Sequence, residues 1–212
     1  MVLYSPAIMQ PARTRLHVDI RRQQLLELAL ELFASHAYDD ISIDEIARQA
    51  GISKGLLYHY FPSKRAFYVA AVTAAAEQLV EETDIDAHGV GDQPNLEGVR
   101  EILRAFLAYV SRRRKEYVFL IRGGIGSDPE VAEILEGTRQ SLVQRMLTRL
   151  ARFGVKDDLP TRLRLRGWIG FLEGSTLDWL QTDELDSDAF LEILLPMAGH
   201  VLASAIQATH AE

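Results

Sequence analysis

Apolar residues recur every three or four positions along most of the chain, which is the spacing of a helix with one buried face. The two-residue alternation of a β-strand is not seen. A first helix is predicted from about Asp19 to His36. Its apolar face is formed by Leu25, Leu28, Ala29, Leu32 and Phe33. The pattern therefore predicts an all-α fold.

The same spacing, with capping residues at the starts and Gly or Pro at the breaks, places the other helices. Two short helices are predicted at about 43–49 and 54–60, and a long one from Ser63 to about Asp84. Residues 85–95 are rich in Gly, Asp and Pro and are predicted to form a loop. Further helices are expected at about 96–111, 115–123, 129–152, 160–181 and 187–208.

Composition narrows the class of protein. The chain of 212 residues has ample material for a core, and its lack of Cys excludes disulfides, thiolate metal sites and Cys nucleophiles. No uninterrupted apolar run reaches the roughly 18 residues of a membrane span. Residues 1–18 lack the charged-then-apolar pattern of an export signal. We therefore expect a cytoplasmic protein with no membrane partner.

Residues 41–64, with the sequence ISIDEIARQAGISKGLLYHYFPSK, predict a helix-turn-helix. Ser42 and Glu45 have the spacing of a capping box at the start of the first short helix, where the Glu side chain can reach back. Gly51 supplies the backbone freedom that a sharp turn needs. Ser53 is a favourable N-cap for the second short helix.

The outward side of the second short helix is suited to nucleic acid. Lys54 and Lys64 offer charges to phosphates, Tyr58 offers a hydroxyl donor, and Gly55 permits close backbone approach. The net charge of −7 does not oppose this, because basic and acidic residues balance up to Lys64 and the negative excess lies beyond it. Local charge, and not the global sum, governs phosphate binding.

This segment resembles the DNA-binding domain of the TetR family of bacterial regulators, from near Gln24 to the helix after Ser63. The pattern that carries the resemblance is Ile-Ala, Ala-Gly-Ile-Ser-Lys-Gly, Leu-Tyr, Tyr-Phe and Ser-Lys, in that order. The resemblance implies a homodimer with an N-terminal three-helix helix-turn-helix domain and a C-terminal antiparallel helical domain that dimerises and holds an effector. It implies DNA contacts from Ser42, Ser53, Lys54, Gly55, Tyr58, His59, Tyr60 and Lys64.

The resulting domain prediction has three parts. Residues 1–18 are a flexible N-terminal arm, 19–64 are the helix-turn-helix DNA-binding domain, and 65–212 are the ligand-binding and dimerisation domain. Arg22 is added to the predicted DNA contacts as a basic residue that could share the same side. The arm's Arg13 and Arg15 could enter a minor groove, or the arm could be a frayed terminus.

The last two helices are the predicted dimer interface. Three Gly residues interrupt the apolar spacing of helix 160–181, which lowers helix propensity unless another backbone approaches closely. Helix 187–208 is apolar on several sides, as a helix buried more than once would be. A central core helix of a monomer is the alternative. The interface residues predicted are Gly174, Trp179, Leu194, Met197 and Val201.

A small-molecule effector is expected among the middle helices. The residues predicted to bind it are Phe106, Tyr109, Tyr117, Arg122, Trp168, Phe171, Glu173 and Asp178. Each aromatic could equally be ordinary core. Glu173 and Asp178 lie on a largely apolar helix, and could pair with Arg across the interface or bind a cationic or hydroxylated ligand. The basic run at residues 112–115 could be a solvated helix end or the entrance for an anionic ligand.

Enzymatic function is not predicted. The sequence has no nucleophile elbow, Walker loop or HExxH pattern, and the six His residues lack metal-ligand spacing. The Gly-rich segment 123–127 follows a helix and lacks a trailing Lys, so it is interpreted as an interhelical turn. A Glu173–Asp178 acid–base pair is the remaining catalytic alternative.

We therefore expect no cofactor, metal or catalytic residue, and a sequence-specific DNA-binding transcriptional regulator. The specific hypothesis is a repressor that binds a palindromic operator as a dimer and is released by a small, largely apolar or aromatic effector. A DNA-binding protein tuned by a protein partner, with a C-terminal domain that has no pocket, is the other hypothesis.

Overall fold

The computed structural model describes residues 11–83, 96–122, 128–182 and 184–210. Within these ranges the chain is almost entirely helical and no strand occurs, so the all-α prediction is confirmed. A 3-10 turn lies at Tyr38–Asp40. The helices are α1 (Pro11–Ser35), α2 (Ile43–Gln49), α3 (Lys54–Tyr60), α4 (Lys64–Glu82), α5 (Leu96–Arg112), α6 (Arg114–Arg122), α7 (Pro129–Ala151), α8 (Leu159–Trp179) and α9 (Ser187–His210).

The first helix begins earlier than predicted. It starts at Pro11 instead of Asp19, so residues 11–18 of the predicted flexible arm are helical. Proline is well suited to the first turn of a helix, and the following residues include strong helix formers, but no apolar periodicity marks them. Residues 1–10 of the arm, the loop predicted at 85–95 and the turn predicted at 123–127 lie outside the described residues.

The chain divides into two compact units, Met1–Ala71 and Val72–Glu212. The predicted domain boundary at residue 64 is therefore too early. Phe67 and Tyr68, near the start of α4, are fully buried and contact the ring of Phe33. The first two turns of α4 thus complete the core of the first unit.

The first unit is built around an aromatic cluster. Phe33 stacks on Tyr38 and meets Tyr68 edge to face at a centroid distance of 5.0 Å. Phe61 packs on Phe67 at 4.7 Å. Such ring pairs add to the stabilisation from buried area. The cluster fixes both ends of the segment that contains α2 and α3.

In the second unit, α5 packs on α9, and α8 packs on both α7 and α9. One core cluster joins Val143 and Leu147 of α7 to Leu165 and Ile169 of α8. An ion pair between Arg100 and Glu192 connects α5 to α9 at the surface. Of these helices, α5, α7 and α8 contribute walls to the cavity described below.

The starts of α7 and α8 follow from local sequence. Asp128 accepts the N–H groups of Glu130 and Val131, with Pro129 in the first turn, as predicted. Asp158 accepts the N–H of Thr161 at 2.8 Å in the same way. That bond holds the pKa of the Asp158 carboxyl below its usual value.

Candidate nucleic-acid interface and ligand cavity

The predicted helix-turn-helix is present, with α2 and α3 joined by a turn at Gly51. Gly51 has φ of +63°, a left-handed conformation that residues with a Cβ adopt at a cost. The N–H of Ile52 donates to the carbonyl of Ala47 at 3.0 Å, the six-to-one bond of a Schellman C-cap. This bond ends α2 and turns the chain into α3.

Both short helices are capped by serine. The Ser42 hydroxyl accepts the N–H of Glu45, and the Ser53 hydroxyl accepts the N–H of Leu56, each at 3.1 Å. The second half of the predicted capping box differs. The Glu45 carboxylate accepts hydrogen bonds from Arg48 and Gln49 instead, and these bonds lower its pKa.

Helix α3 has a buried face and an exposed face. Leu57 and Phe61 are buried in the core of the unit, whereas Gly55, Tyr58 and His59 are exposed. Tyr60 is half-buried, with its ring 5.8 Å from that of His59. The structure thus brings the central predicted DNA-contacting side chains onto one solvent-facing side of a single helix.

Leu56 is a surface residue that the sequence analysis missed. It lies on α3 beside Tyr58, and its side chain is 40 % exposed. An exposed leucine is unremarkable by itself, but on a helix that enters a major groove it can contact the methyl group of thymine. Its position in the helix, one residue before the buried Leu57, could have predicted that Leu56 is exposed.

Each described cation of this surface already has a partner within the chain. Lys54 donates to the carboxylate of Asp44 at 2.8 Å, which joins α3 to α2 and raises the pKa of the lysine. The ammonium of Lys64 lies 4.2 Å from the centre of the Tyr38 ring. The guanidinium of Arg22 lies 5.4 Å from the centre of the Phe61 ring. Cation–π contacts of this kind position the charge without neutralising it.

The second unit contains a cavity of about 540 Å³. That volume lies within the range of roughly 300–1,000 Å³ that small-molecule sites span. The walls come from α4, α5, α6, α7 and α8, as expected for a site among the middle helices. Four of the predicted effector-binding residues line it: Phe106, Tyr117, Trp168 and Glu173.

The other four predicted effector residues do not line this cavity. Tyr109 is buried elsewhere in the core, and burial raises its pKa to about 12. Arg122 is exposed at the end of α6. Phe171 and Asp178 are exposed on α8, and the Phe171 ring stacks on the outer side of Trp168 at a centroid distance of 5.7 Å.

Glu173 pairs within its own chain. The Nε atom of Arg139 on α7 lies 2.9 and 3.1 Å from the two carboxylate oxygens of Glu173, and both side chains are about four-fifths buried. The pairing across a dimer interface that the sequence analysis considered is therefore not needed for Glu173. Burial, and next the nearby Glu173 charge, raise the pKa of Tyr117 above its ordinary range, so its hydroxyl stays protonated.

The predicted interface residues occupy different environments. Leu194 is fully buried inside the unit and so is not available to a partner as predicted, whereas Val201 is half-buried and packs partly against the chain's own core. Trp179 stacks on Phe190 at 4.8 Å and is half-buried. Gly174 and Met197 are exposed, Met197 by 46 %. For α9, only tertiary packing could distinguish buried from exposed residues, because this helix is apolar on nearly every side.

Three glycines on α8 have open space around them. A Cβ added to Gly167, Gly170 or Gly174 would meet nothing within 4 Å. The close approach predicted for these positions therefore does not occur within the described part of the chain. A close contact of a different kind lies at Gly199 of α9, where a Cβ would come within 2.8 Å of the Cδ2 atom of the Leu96 side chain.

Helix α9 meets the length and composition of a membrane-spanning helix from Ser187 to Gln207, and a third of that segment is buried inside the protein. The sequence analysis, which looked for an uninterrupted apolar run, did not identify it. Core helices of soluble proteins pass the same test, and α9 packs on α5 and α8. Its composition is thus explained in part by core packing.

A capped helix-turn-helix followed by a separate helical unit with a cavity is the architecture of a DNA-binding regulator. Comparison with known families agrees. Residues 25–71 match the family described as bacterial regulatory proteins, tetR family, and residues 96–198 match the tetracyclin repressor-like C-terminal domain. The chain belongs to the TetR family, and it is a transcription regulator and not an enzyme.

Individual relatives have similar descriptions. The chain is 27 % identical to the HTH-type transcriptional activator FasR of Mycolicibacterium smegmatis, covering 84 % of this chain and 81 % of that protein. It is 25 % identical to the HTH-type transcriptional repressor AcnR of Corynebacterium diphtheriae, over 71 % and 76 %. A tetR-family regulator from Streptomyces coelicolor has a similar structure, with a TM-score of 0.72, 26 % identity and coverage of 91 % and 89 %.

Proposed function

We propose that this regulator is a sequence-specific repressor that binds a palindromic operator as a dimer. The observation that carries the proposal is the exposed face of α3, where Leu56, Tyr58 and His59 project from a helix held by Ser53 and Leu57. A second helix placed in the major groove is the docking geometry of a helix-turn-helix. Base edges would be read by this face.

Phosphate contacts would flank the groove. Lys64, Lys54 and Arg22 supply the charges, and Ser42 and Ser53 supply hydroxyl groups at the starts of the two short helices. A serine hydroxyl can accept from the backbone and still donate its own proton, so capping and phosphate binding are compatible. These contacts would position the protein without selecting a sequence.

Dimerisation is supported by what α8 and α9 leave exposed. Leu163 is 62 % exposed, and Phe171, Ile193 and Met197 are also exposed large apolar residues of these helices. A glycine costs about 1 kcal/mol relative to alanine inside a helix, so the three open glycines of α8 weaken it unless something packs on that side. A second copy of α8 and α9 would cover this surface and give the twofold symmetry of a palindromic site.

Control by a small, largely apolar or aromatic ligand is supported by the cavity. It is lined mainly by carbon-rich side chains from five helices. Helix α4, which contributes Leu79 to the cavity wall, begins in the first unit. Ligand binding would shift α4 and release the operator. The other hypothesis, control by a protein partner, expects a C-terminal domain that has no pocket. A cavity of this size counts against that hypothesis.

The decisive experiment is titration of the protein onto duplex DNA from beside its own gene, with random duplex of equal length as the control. Tight binding to the first duplex, lost steeply as salt is raised, is expected. Equal and weak binding to both would contradict the proposal. Transcription from a promoter that overlaps the bound site should fall when protein is added in a cytoplasm-like, reducing buffer, and a rise would identify an activator.

A further inference from the structure

The cavity has a polar side and an apolar side. Leu79, Leu103, Phe106 and Ile169 are buried and form part of its floor. The exposed lining residues lie on α7 or at its C-cap, and they are Ser141, Gln144, Arg145, Thr148 and Arg152. A ligand that enters would therefore pass from a polar, cationic rim into an apolar interior.

Three arginines at the end of α7 form a row along this rim. Arg145 and Arg149 lie on α7 and Arg152 is its C-cap residue, and their spacing of four and then three residues places them on one side of the helix end. All three line the cavity. Arg145 also donates to the carbonyl of Val80 on α4 at 3.2 Å, which holds its guanidinium at the rim.

Positive charge dominates the described lining. Glu173 is the one acidic residue among the lining residues, and Arg139 already neutralises it. Three guanidinium groups beside an apolar space favour a ligand that carries negative charge, because guanidinium binds carboxylate and phosphate through paired hydrogen bonds.

We propose that the effector is an anionic amphiphile. Its apolar body would occupy the floor beside Phe106 and Trp168, and its carboxylate or phosphate head would bind Arg145, Arg149 and Arg152. The inference rests on the proposed function, because it names the chemical class of the ligand for that cavity. The basic residues involved are those of α7 and not the run at 112–115 that the sequence analysis considered as an entrance.

Calorimetric titration of the full chain with four probes, each carrying a ten-carbon chain, tests the proposed ligand class. The probes are decanoate, decyl phosphate, decanol and decyltrimethylammonium, each kept below the concentration at which it forms micelles. Decanoate or decyl phosphate should bind more tightly than decanol by a factor of at least about ten, since a hydrogen bond to a charged group typically contributes that much. The tighter of the two anions identifies the head group.

Variants that remove arginine charges test whether the anion preference comes from the cavity rim. In the double variant Arg145→Gln/Arg149→Gln, anion affinity should fall to that of decanol, while decanol affinity stays the same. Arg162→Gln is the matched control, because Arg162 is exposed on α8, pairs with Asp157 and does not line the cavity. If the double variant does not fold, the two single variants replace it, and each should lose several-fold of the anion preference.

Two results would overturn the proposal: decanol binding as tightly as both anions, or an anion preference that survives in every cavity variant. Neither depends on DNA. If the anions bind through the arginines but operator binding fails, the proposed function is wrong and the ligand class stands. If operator binding is specific but the anions do not bind preferentially, the ligand class alone is wrong.

Discussion

At the scale of single residues, the side chains proposed to contact DNA are held in place by partners within the chain. Lys64 lies over the Tyr38 ring, Arg22 lies over Phe61, and Lys54 is paired with Asp44. Most of these side chains could be named from the motif alone. Their partners could not, because Tyr38 and Lys64 are distant in sequence and meet only through the aromatic core.

Replacement of Tyr58 or Lys64 by alanine should weaken DNA binding on many sequences and leave the oligomeric state unchanged. Loss of one phosphate contact at Lys64 should also reduce the salt dependence of binding by about one in the logarithmic slope. The measurement is a salt titration of duplex binding. Lys115→Ala, an exposed charge in the second unit, is the control. Wild-type affinity in both variants at the same salt concentration would contradict the assignment of the surface.

Removal of the Asp44 charge should strengthen DNA binding. Asp44→Asn frees Lys54 from its 2.8 Å ion pair and takes one negative charge away from the surface that would face phosphates. A several-fold increase in affinity and a steeper salt dependence are expected. Asp39→Asn changes the charge of the same unit equally, at an exposed position of the 3-10 turn, and serves as control. If the two variants behave alike, Lys54 is not a phosphate contact.

At the scale of elements, local chemistry decides where helices start and stop. Ser42, Ser53, Asp128 and Asp158 each accept a backbone N–H at the start of a helix. These signals involve residues two or three positions apart, so sequence suffices to find them. The start of α1 was missed because residues 11–18 carry helix formers without an apolar stripe.

Gly51→Ala should destabilise the first unit by about 1–2 kcal/mol, because its left-handed conformation brings a Cβ too close to the following carbonyl oxygen. The measurement is the free energy of unfolding from urea denaturation. Gly137→Ala is the matched control, since Gly137 is exposed within α7 and a Cβ there meets nothing within 4 Å. It should raise stability by up to about 1 kcal/mol. An unchanged free energy for Gly51→Ala would show that the turn relaxes without cost.

At the scale of the whole molecule, α8 and α9 carry more apolar surface than the chain itself covers. A third of α9 is buried inside the protein, and Phe171 of α8 and Met197 of α9 are exposed. An exposed apolar surface on two adjacent helices is typical of a protein–protein interface. For α9, the proposed dimerisation would account for the apolar composition that core packing explains only in part.

Phe171→Glu or Met197→Glu should convert the dimer to a monomer, because a buried carboxylate without a partner is costly at an interface. The measurement is molar mass by light scattering on a sizing column, with helix content from circular dichroism as the check on folding. Ile20→Glu introduces the same charge at an exposed apolar residue of α1, and it should leave the mass unchanged. A dimer that persists in both variants would place the interface elsewhere.

The sequence by itself determined the helical class, the positions of most helices, the helix-turn-helix and the family. All of these depend on residues close together in the chain, through hydrogen bonds at helix ends and through apolar spacing. For helices that are apolar on several sides, tertiary structure alone decided which side faces the core. It buried Leu194 and exposed Met197, paired Glu173 with Arg139 and placed Arg145, Arg149 and Arg152 on a cavity. An apolar helix gives no local signal for these outcomes, because burial depends on what distant segments pack against it.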